Sequence, residues 1–312
     1  APEEHTRQWQ KEMFEMIDRL RFYPCITTWV VFNEGWGQHN TVEIVNKVIK
    51  YDDTRLINGV TGWTDRGVGD MYDVHNYPVT SMILPENNGN RISVLGEFGG
   101  YGWAIKEHIW NPNMRNWGYK NIDGAMALID SYGRLLYDLE TLIAQGLSAA
   151  VYTQTTDVEG EVNGLITYDR KVTKIPEGLL HLMHNRLYEI TPVNAVTLIA
   201  DSQNGSKNTR LVGVNGQELK MTSLPFECSP RSTIVSEATF NVDKGFNHLS
   251  LWLNVAGEAK VWLNGVEVFA QEAKQTRQYN QYNISDYSRY LRKGSNLLKI
   301  EVKDSKKMRF DY

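Results

Sequence analysis

Apolar positions along the chain follow two regimes. Up to about residue 195, stripes at helical spacing alternate with short apolar runs of strand length. Trp9, Met13, Met16, Ile17 and Leu20 form the first stripe, and Tyr23-Pro24 predicts its end. A second helix is predicted over 42–51, and a third carries Leu128, Ile129, Tyr132, Leu135, Leu136, Leu139, Leu142 and Ile143, with Gly146 as its C-cap. A closing helix is predicted over 176–187. Between them lie apolar runs at 26–34, 56–60, 92–97 and 148–154, 73–78 reads as another strand with a polar exit, and 101–121 reads as a long aromatic loop. Near-continuous apolar runs alternating with helices predict a parallel sheet whose strands are buried on both faces.

Beyond about 196 the period falls to two. Leu249, Leu251, Leu253 and Val255 alternate with their neighbours as half-buried strands do, 261–268 reads as a hairpin turning at Asn264-Gly265, and 294–296 turns into a strand over 297–302. This predicts an antiparallel β-sandwich over roughly 220–304. Residues 201–220, rich in Asn, Gly and Ser, read as a linker. The predicted organisation is therefore α/β over 1–195, a loop-rich connection over 196–220, and all-β over 221–312.

Two of the apolar runs end alike. Ile26-Thr27-Thr28-Trp29-Val30-Val31-Phe32-Asn33-Glu34 exits through Gly35-Trp36-Gly37, and Ile92-Ser93-Val94-Leu95-Gly96-Glu97 through Phe98-Gly99-Gly100. A carboxylate at the carboxyl end of a buried parallel strand lies where α/β barrels keep their chemistry. One such Glu is commonly a surface or capping residue. Two, 63 residues apart and each with a glycine- and aromatic-bearing exit, point to a paired-carboxylate site. Glycine admits a ligand close to the backbone, and aromatic rings give sugars an apolar face to stack on.

Composition narrows this little. Of 312 residues 41% are apolar and 22% charged, an ordinary globular balance. The net charge of -4 gives no basic footprint for nucleic acid, and no apolar stretch reaches the length of a membrane span. Cys25 and Cys228 are too few and too far apart for a disulfide framework. Compartment is not readable; a periplasmic or secreted location fits as well as any other. No cofactor and no metal is expected.

The motifs carry a resemblance. Phe32-Asn33-Glu34-Gly35-Trp36-Gly37 resembles the acid/base strand of glycoside hydrolase family 2, the family of β-galactosidases, β-glucuronidases and β-mannosidases. Leu95-Gly96-Glu97-Phe98-Gly99-Gly100 is similar to its nucleophile strand, and 152–165 with Asp169-Arg170-Lys171 to its eighth-strand exit. The resemblance covers roughly 1–190. The segments 261–265 and 282–287 are similar, more loosely, to galactose-binding-like jelly rolls.

The resemblance implies a (β/α)8 TIM barrel, here strands four to eight, and a retaining β-glycosidase, β-galactosidase-like first, acting on oligo- or polysaccharide glycosides. It implies Glu34 as acid/base, Glu97 as nucleophile, Asn33 as a ligand of the sugar 2-hydroxyl and Tyr77 as a contact of the nucleophile. His75, two residues earlier on the same face, is a substrate ligand or a structural histidine. Trp36, Trp63 and Trp103 are candidate sugar platforms, and Tyr152 stands about where this clan keeps a tryptophan. Asp157, Glu159 and Glu161 read first as a solvated loop, then as a sugar contact, and last as a metal site. The chain is expected to be the carboxyl-terminal part of a longer enzyme, weak or inactive alone, with self-association across an open sheet edge expected of the isolated piece. The alternatives are a carbohydrate-binding fragment without catalysis and a structural fragment.

Overall fold

The computed structural model describes residues 3–190, 195–200, 209–214, 217–222, 226–228, 233–242, 248–253, 257–274, 280–303 and 308–310. It divides into two units, one of residues 1–136 and 145–190 and one of residues 137–144 and 191–312. Among the described residues no helix is long and apolar enough to cross a membrane.

Up to residue 190 the order is α1 (Glu3–Leu20), β1 (Thr28–Asn33), α2 (Thr41–Tyr51), β2 (Leu56–Thr61), β3 (Met71–Asn76), β4 (Ile92–Gly99), the two-residue strands β5 (Tyr101–Gly102) and β6 (Lys120–Asn121), α3 (Ala125–Gln145), β7 (Ala149–Thr153) and α4 (Glu177–Tyr188), all in the first unit except residues 137–144 of α3. β1 pairs with β2 in parallel, and β4 pairs in parallel with β3 on one side and β7 on the other. β2 and β3 are joined by Asp70, whose N–H donates to Ile57 O at 2.7 Å and whose carboxylate accepts from Ile57 N at 2.7 Å. Within each of these two sheets the strands run parallel, as the periodicity predicts, with α2 between β1 and β2 and α3 before β7, whereas no α-helix separates β2 from β3 or β3 from β4.

The packing follows the sequence stripes. Ile17 of α1 and Ile44, Val45 and Val48 of α2 are fully buried with Trp29, Val31 and Phe32 of β1 and Ile57 and Val60 of β2. Burying an aliphatic side chain of this size contributes about 1.5–3 kcal/mol, so the stripe, more than helix propensity, holds α2 in place. Gly146 closes α3 at φ 113°, a left-handed position that glycine adopts without a Cβ clash.

The second unit contains β8 (Ala195–Ala200), β9 (Thr209–Val214), β10 (Gln217–Thr222), β11 (Phe226–Cys228), β12 (Thr233–Val242), β13 (His248–Leu253), β14 (Gly257–Leu263), β15 (Val266–Lys274), β16 (Asn280–Asn283), β17 (Gly294–Lys303) and β18 (Met308–Phe310). A six-stranded sheet runs β10-β9-β12-β17-β14-β15, all antiparallel. β14 and β15 turn at Asn264 (φ 51°) and Gly265 (φ 87°), two positive φ values that explain the Asn-Gly choice. Leu249, Leu251 and Leu253 of β13 are buried with Val261, Leu263 and Ile300; Val255 lies outside the described residues.

Two expectations are corrected here. Residues 196–220 are not a linker, because β8, β9 and β10 occupy much of that stretch and enter the sheets of this unit. Turn-forming composition hid these short strands, of which β8 and β9 pair with β13 and β12 farther along the chain and β10 with β9. Nor is the unit wholly antiparallel, since β13 pairs with β8 in parallel.

Candidate active site

β1 ends at Asn33, and Trp36 N donates back to Asn33 O at 2.9 Å to close a tight turn. Its two central residues, Glu34 (φ 52°) and Gly35 (φ 79°), both have positive φ. Gly35 takes this at no cost, but for Glu34 the left-handed region costs roughly 1–2 kcal/mol. Such strain, fixed by its surroundings, is common at functional positions. The second carboxylate, Glu97, lies in β4 within the stretch between Leu95 and Phe98 where the register against β7 shifts.

Between them stands β3. Its His75 side chain is 1% exposed, whereas those of Glu34 and Glu97 are 19% and 29% exposed. His75 Nδ1 lies 2.8 Å from Glu34 Oε1 and 3.5 Å from Glu97 Oε2, and Nε2 lies 3.8 Å from Asp73 Oδ1. One ligand atom from each of Glu34, His75 and Glu97 falls within 4.8 Å of the others. The carboxyl groups brought together by the two strand-end motifs are thus open to a ligand from above and joined by a buried histidine below.

Tyr77 donates its hydroxyl hydrogen to Glu97 Oε2 and exchanges a 2.8 Å hydrogen bond with Thr153 Oγ1 at the end of β7. Burial, and then the carboxylate it bonds, hold this hydroxyl far above the ordinary tyrosine range. It stays a donor at any working pH. The ring stacks on Tyr119 at 3.5 Å with planes 2° apart, and Tyr119 remains 46% exposed. Burial first, then the charges of Glu161, Glu97 and Glu34, raise the Tyr119 pKa as well.

Asn33 is exposed beside Glu34, its Oδ1 accepting from Thr61 Oγ1 at 2.5 Å, so its amide nitrogen is left for other partners. Trp63 sets its edge toward His75 at 5.8 Å and is 48% exposed; Trp36 is 78% exposed on the turn after Glu34. Trp103 is tied by its backbone to Val162 and to Lys174 and is half-buried. One predicted ligand stands elsewhere. Tyr152 accepts from Tyr101 N at 3.2 Å and packs edge-on against Phe98 and Tyr132. It is a packing residue, and the place beside Tyr77 belongs to Tyr119. The sequence signal for Tyr119 was present only as one aromatic among several in a long loop.

The acidic cluster also differs from expectation. Asp157 is not solvated: its side chain is 2% exposed and bonds Lys174 Nζ at 2.7 Å, while the same Nζ donates to Trp103 O and Val162 O at 2.9 Å each. Burial raises the Asp157 pKa and lowers that of Lys174 against their mutual attraction. This buried pair fastens the loop after β5 to the loop after β7. Glu161 hydrogen-bonds Asn163, which in turn accepts from Gln154.

Two glycines and an aspartate complete the floor. Asp73 is 3% exposed and accepts from Gly96 N at 2.9 Å and Asn58 Nδ2 at 2.7 Å. Burial, opposed by these bonds and by His75, raises its pKa. A Cβ on Gly96 would collide with this carboxylate, and a Cβ on Gly62 (φ +80°) would stand 2.9 Å from His75 Nδ1. Glu34, His75 and Glu97 are also a donor set that suits a metal ion, and Glu97 of that set accepts the Tyr77 hydroxyl hydrogen.

Neither a protein-family model nor a curated protein matches the sequence. Solved structures similar to it include a β-D-glucuronidase from Dictyoglomus thermophilum, at 14% identity and TM-score 0.23 over 34% of this chain and 21% of that one. An FMN-binding β-glucuronidase from Facaelibacterium prausnitzii L2-6 is 13% identical at TM-score 0.41, over 98% of this chain and 45% of that one. A calcium-binding mutant of Bacteroides uniformis β-glucuronidase 2 is 10% identical at TM-score 0.41, over 100% and 56%. The chain spans less than two thirds of each of these structures. At such TM-scores the likeness carries no argument, and the functional reading rests on the site.

Proposed function

We propose that the chain carries the paired-carboxylate site of a retaining β-glycosidase of the family 2 type, with its five parallel strands forming an arc of a (β/α)8 barrel. The observation that carries this is the approach of Glu34 and Glu97 to within 4.8 Å across His75, Glu34 at the exit of β1 and Glu97 near the carboxyl end of β4. Retaining enzymes hold their carboxyl groups about 5–5.5 Å apart, and inverting ones about 6.5–9.5 Å apart to admit a water. Glu97, bonded by Tyr77, attacks the anomeric carbon. Glu34 protonates the leaving oxygen and then takes a proton from the water that releases the sugar. Asn33 donates its free amide hydrogens to the sugar 2-hydroxyl. Tyr119, Trp63 and Trp36 offer apolar faces to the substrate, which is a terminal β-linked sugar with β-galactosides foremost.

The test is trapping. A 2-deoxy-2-fluoro-β-galactosyl fluoride, with gluco and glucurono analogues beside it, should label the chain, and peptide mass spectrometry should place the sugar on Glu97. A label on Glu34, or none from any sugar, refutes the assignment. Because the same cluster suits a metal, nitrophenyl glycosides should be cleaved equally before and after treatment with a chelator; loss restored by zinc would replace this reading by a metal-dependent one.

A further inference from the structure

Each carboxyl group of the pair has one oxygen engaged by a protein donor. For Glu34 it is Oε1, facing His75 Nδ1; for Glu97 it is Oε2, facing Tyr77. The other two oxygens, Glu34 Oε2 and Glu97 Oε1, have no recorded partner among the described residues. His75 cannot turn away. Gly62 lies so close that a methyl there would stand 2.9 Å from Nδ1, the Trp63 edge is at 5.8 Å, and Asp73, fixed by Gly96 and Asn58, faces Nε2 at 3.8 Å. Nε2 is buried without a hydrogen-bond partner. The titratable groups facing the ring are Glu34, Glu97 and Asp73, with Tyr77 beyond Glu97; β2 and its exit present Asn58, Gly62 and Trp63, and β7 presents Thr153.

We propose that His75 is a positioning residue that decides which oxygen of Glu34 carries the transferable proton. The inference rests on the reading of Glu34 as acid/base. An Nδ1–H aimed at Oε1 makes that oxygen the acceptor, so a proton on the carboxyl group sits on Oε2, the oxygen open to the ligand. In the first step the Oε2–H bond breaks, the proton goes to the glycosidic oxygen, and that oxygen keeps the electron pair of its breaking bond to the anomeric carbon. Glu97 Oε1 forms the new bond to that carbon. In the second step Oε2 takes a proton from water as the water oxygen bonds the anomeric carbon and Glu97 leaves as carboxylate. His75 keeps its Nδ1 proton throughout, and the free Nδ1 tautomer is held by the site before any substrate enters.

Two measurements test this. In ring-labelled protein, 15N–1H spectra should show His75 protonated on Nδ1, with its resonance displaced in Glu34→Gln. A bare Nδ1 with the proton on Nε2 alone overturns the proposal whether or not any glycoside is turned over. In kinetics, His75→Phe should lower kcat on phenyl glycosides by about 10²-fold, the scale of a misplaced general acid, with KM nearly unchanged and a smaller loss on dinitrophenyl glycosides. His75→Asn, whose amide nitrogen replaces Nδ1 as donor, should recover most of the phenyl-glycoside rate. Equal losses on both leaving groups, with Asn no better than Phe, assign His75 a packing role and overturn the proposal. Absence of turnover on every glycoside would refute the glycosidase reading itself, and the nitrogen spectrum would then decide the tautomer alone.

Discussion

Lys174→Met should destabilise the fold strongly without touching the carboxylate pair. The Lys174 side chain is fully buried, and its ammonium group satisfies Asp157 Oδ1 at 2.7 Å and two backbone carbonyls at 2.9 Å. Methionine fills similar space but donates nothing, so it leaves a buried carboxylate and two carbonyls without their donor. Breaking a buried pair from one side costs about 3–5 kcal/mol, or about 6–20 °C in Tm at about 2–4 °C per kcal/mol. The stranded charge accounts for part of this, and Asp157→Asn added to Lys174→Met should recover more than about 1 kcal/mol, because the Asn oxygen can still accept from Gly164 N, 2.8 Å from Asp157 Oδ1. The sign with pH follows. Asp157 already has a raised pKa from burial, and without Lys174 it rises further. A carboxyl group with a raised folded-state pKa loses stability as pH climbs through that value, so the single variant should regain ground on the parent when pH is lowered from 7 toward 5. Guanidinium unfolding followed by circular dichroism at both pH values measures all of this. A Lys174→Met variant within about 1 kcal/mol of the parent, or a double variant no better than the single, would refute the reasoning.

Other outcomes follow from the site. Tyr77→Phe removes a hydroxyl bonded to a carboxylate, a contact of about 1.5–3 kcal/mol, so kcat/KM should drop roughly 10- to 150-fold on nitrophenyl glycosides while the far-ultraviolet dichroism stays that of the parent. Glu97→Gln should abolish turnover, whereas Glu34→Gln should spare substrates with good leaving groups; azide added to Glu34→Ala should yield a β-glycosyl azide, and an α-azide would reverse the two roles. Asp169 is held down to about 2 by the Thr167 hydroxyl and by His108. Its contribution is complete above the unfolded carboxyl value and lost as pH falls toward 2, so the stability difference between parent and Asp169→Asn, measured by urea melts, should shrink across pH 4 to 2.

The strand-end glutamates were legible because two unrelated constraints coincide on them. An apolar run must stop where the strand leaves the core, and a polar residue at that point has few reasons to be followed by Gly-Trp-Gly. The same logic located β3 through Tyr77 and His75. Tyr119 and Lys174 were not legible, since both act across loops and are placed by partners 42 and 17 residues away. Tyr152 misled for a related reason: position after a strand says which end of the sheet a residue occupies, but alternation decides whether it faces the ligand or the helices. In the second unit, β8, β9 and β10 carry turn-rich neighbours, and pairing makes strands of them, β8 with β13, β9 with β12, and β10 with β9.

Gly62 and Gly96 have no group to offer a substrate, yet a library of single variants scored by turnover alone would rank them with Glu34 and Glu97. Each is required for what it lacks, because a methyl at either position occupies space that His75 or Asp73 already fills. The apparent footprint of the site in such a survey would therefore exceed its chemistry by a border of positions that tolerate nothing. Counting folded protein alongside product would draw the inner line: Gly96→Ala should vanish from the soluble pool, while Glu97→Gln should accumulate normally and do nothing.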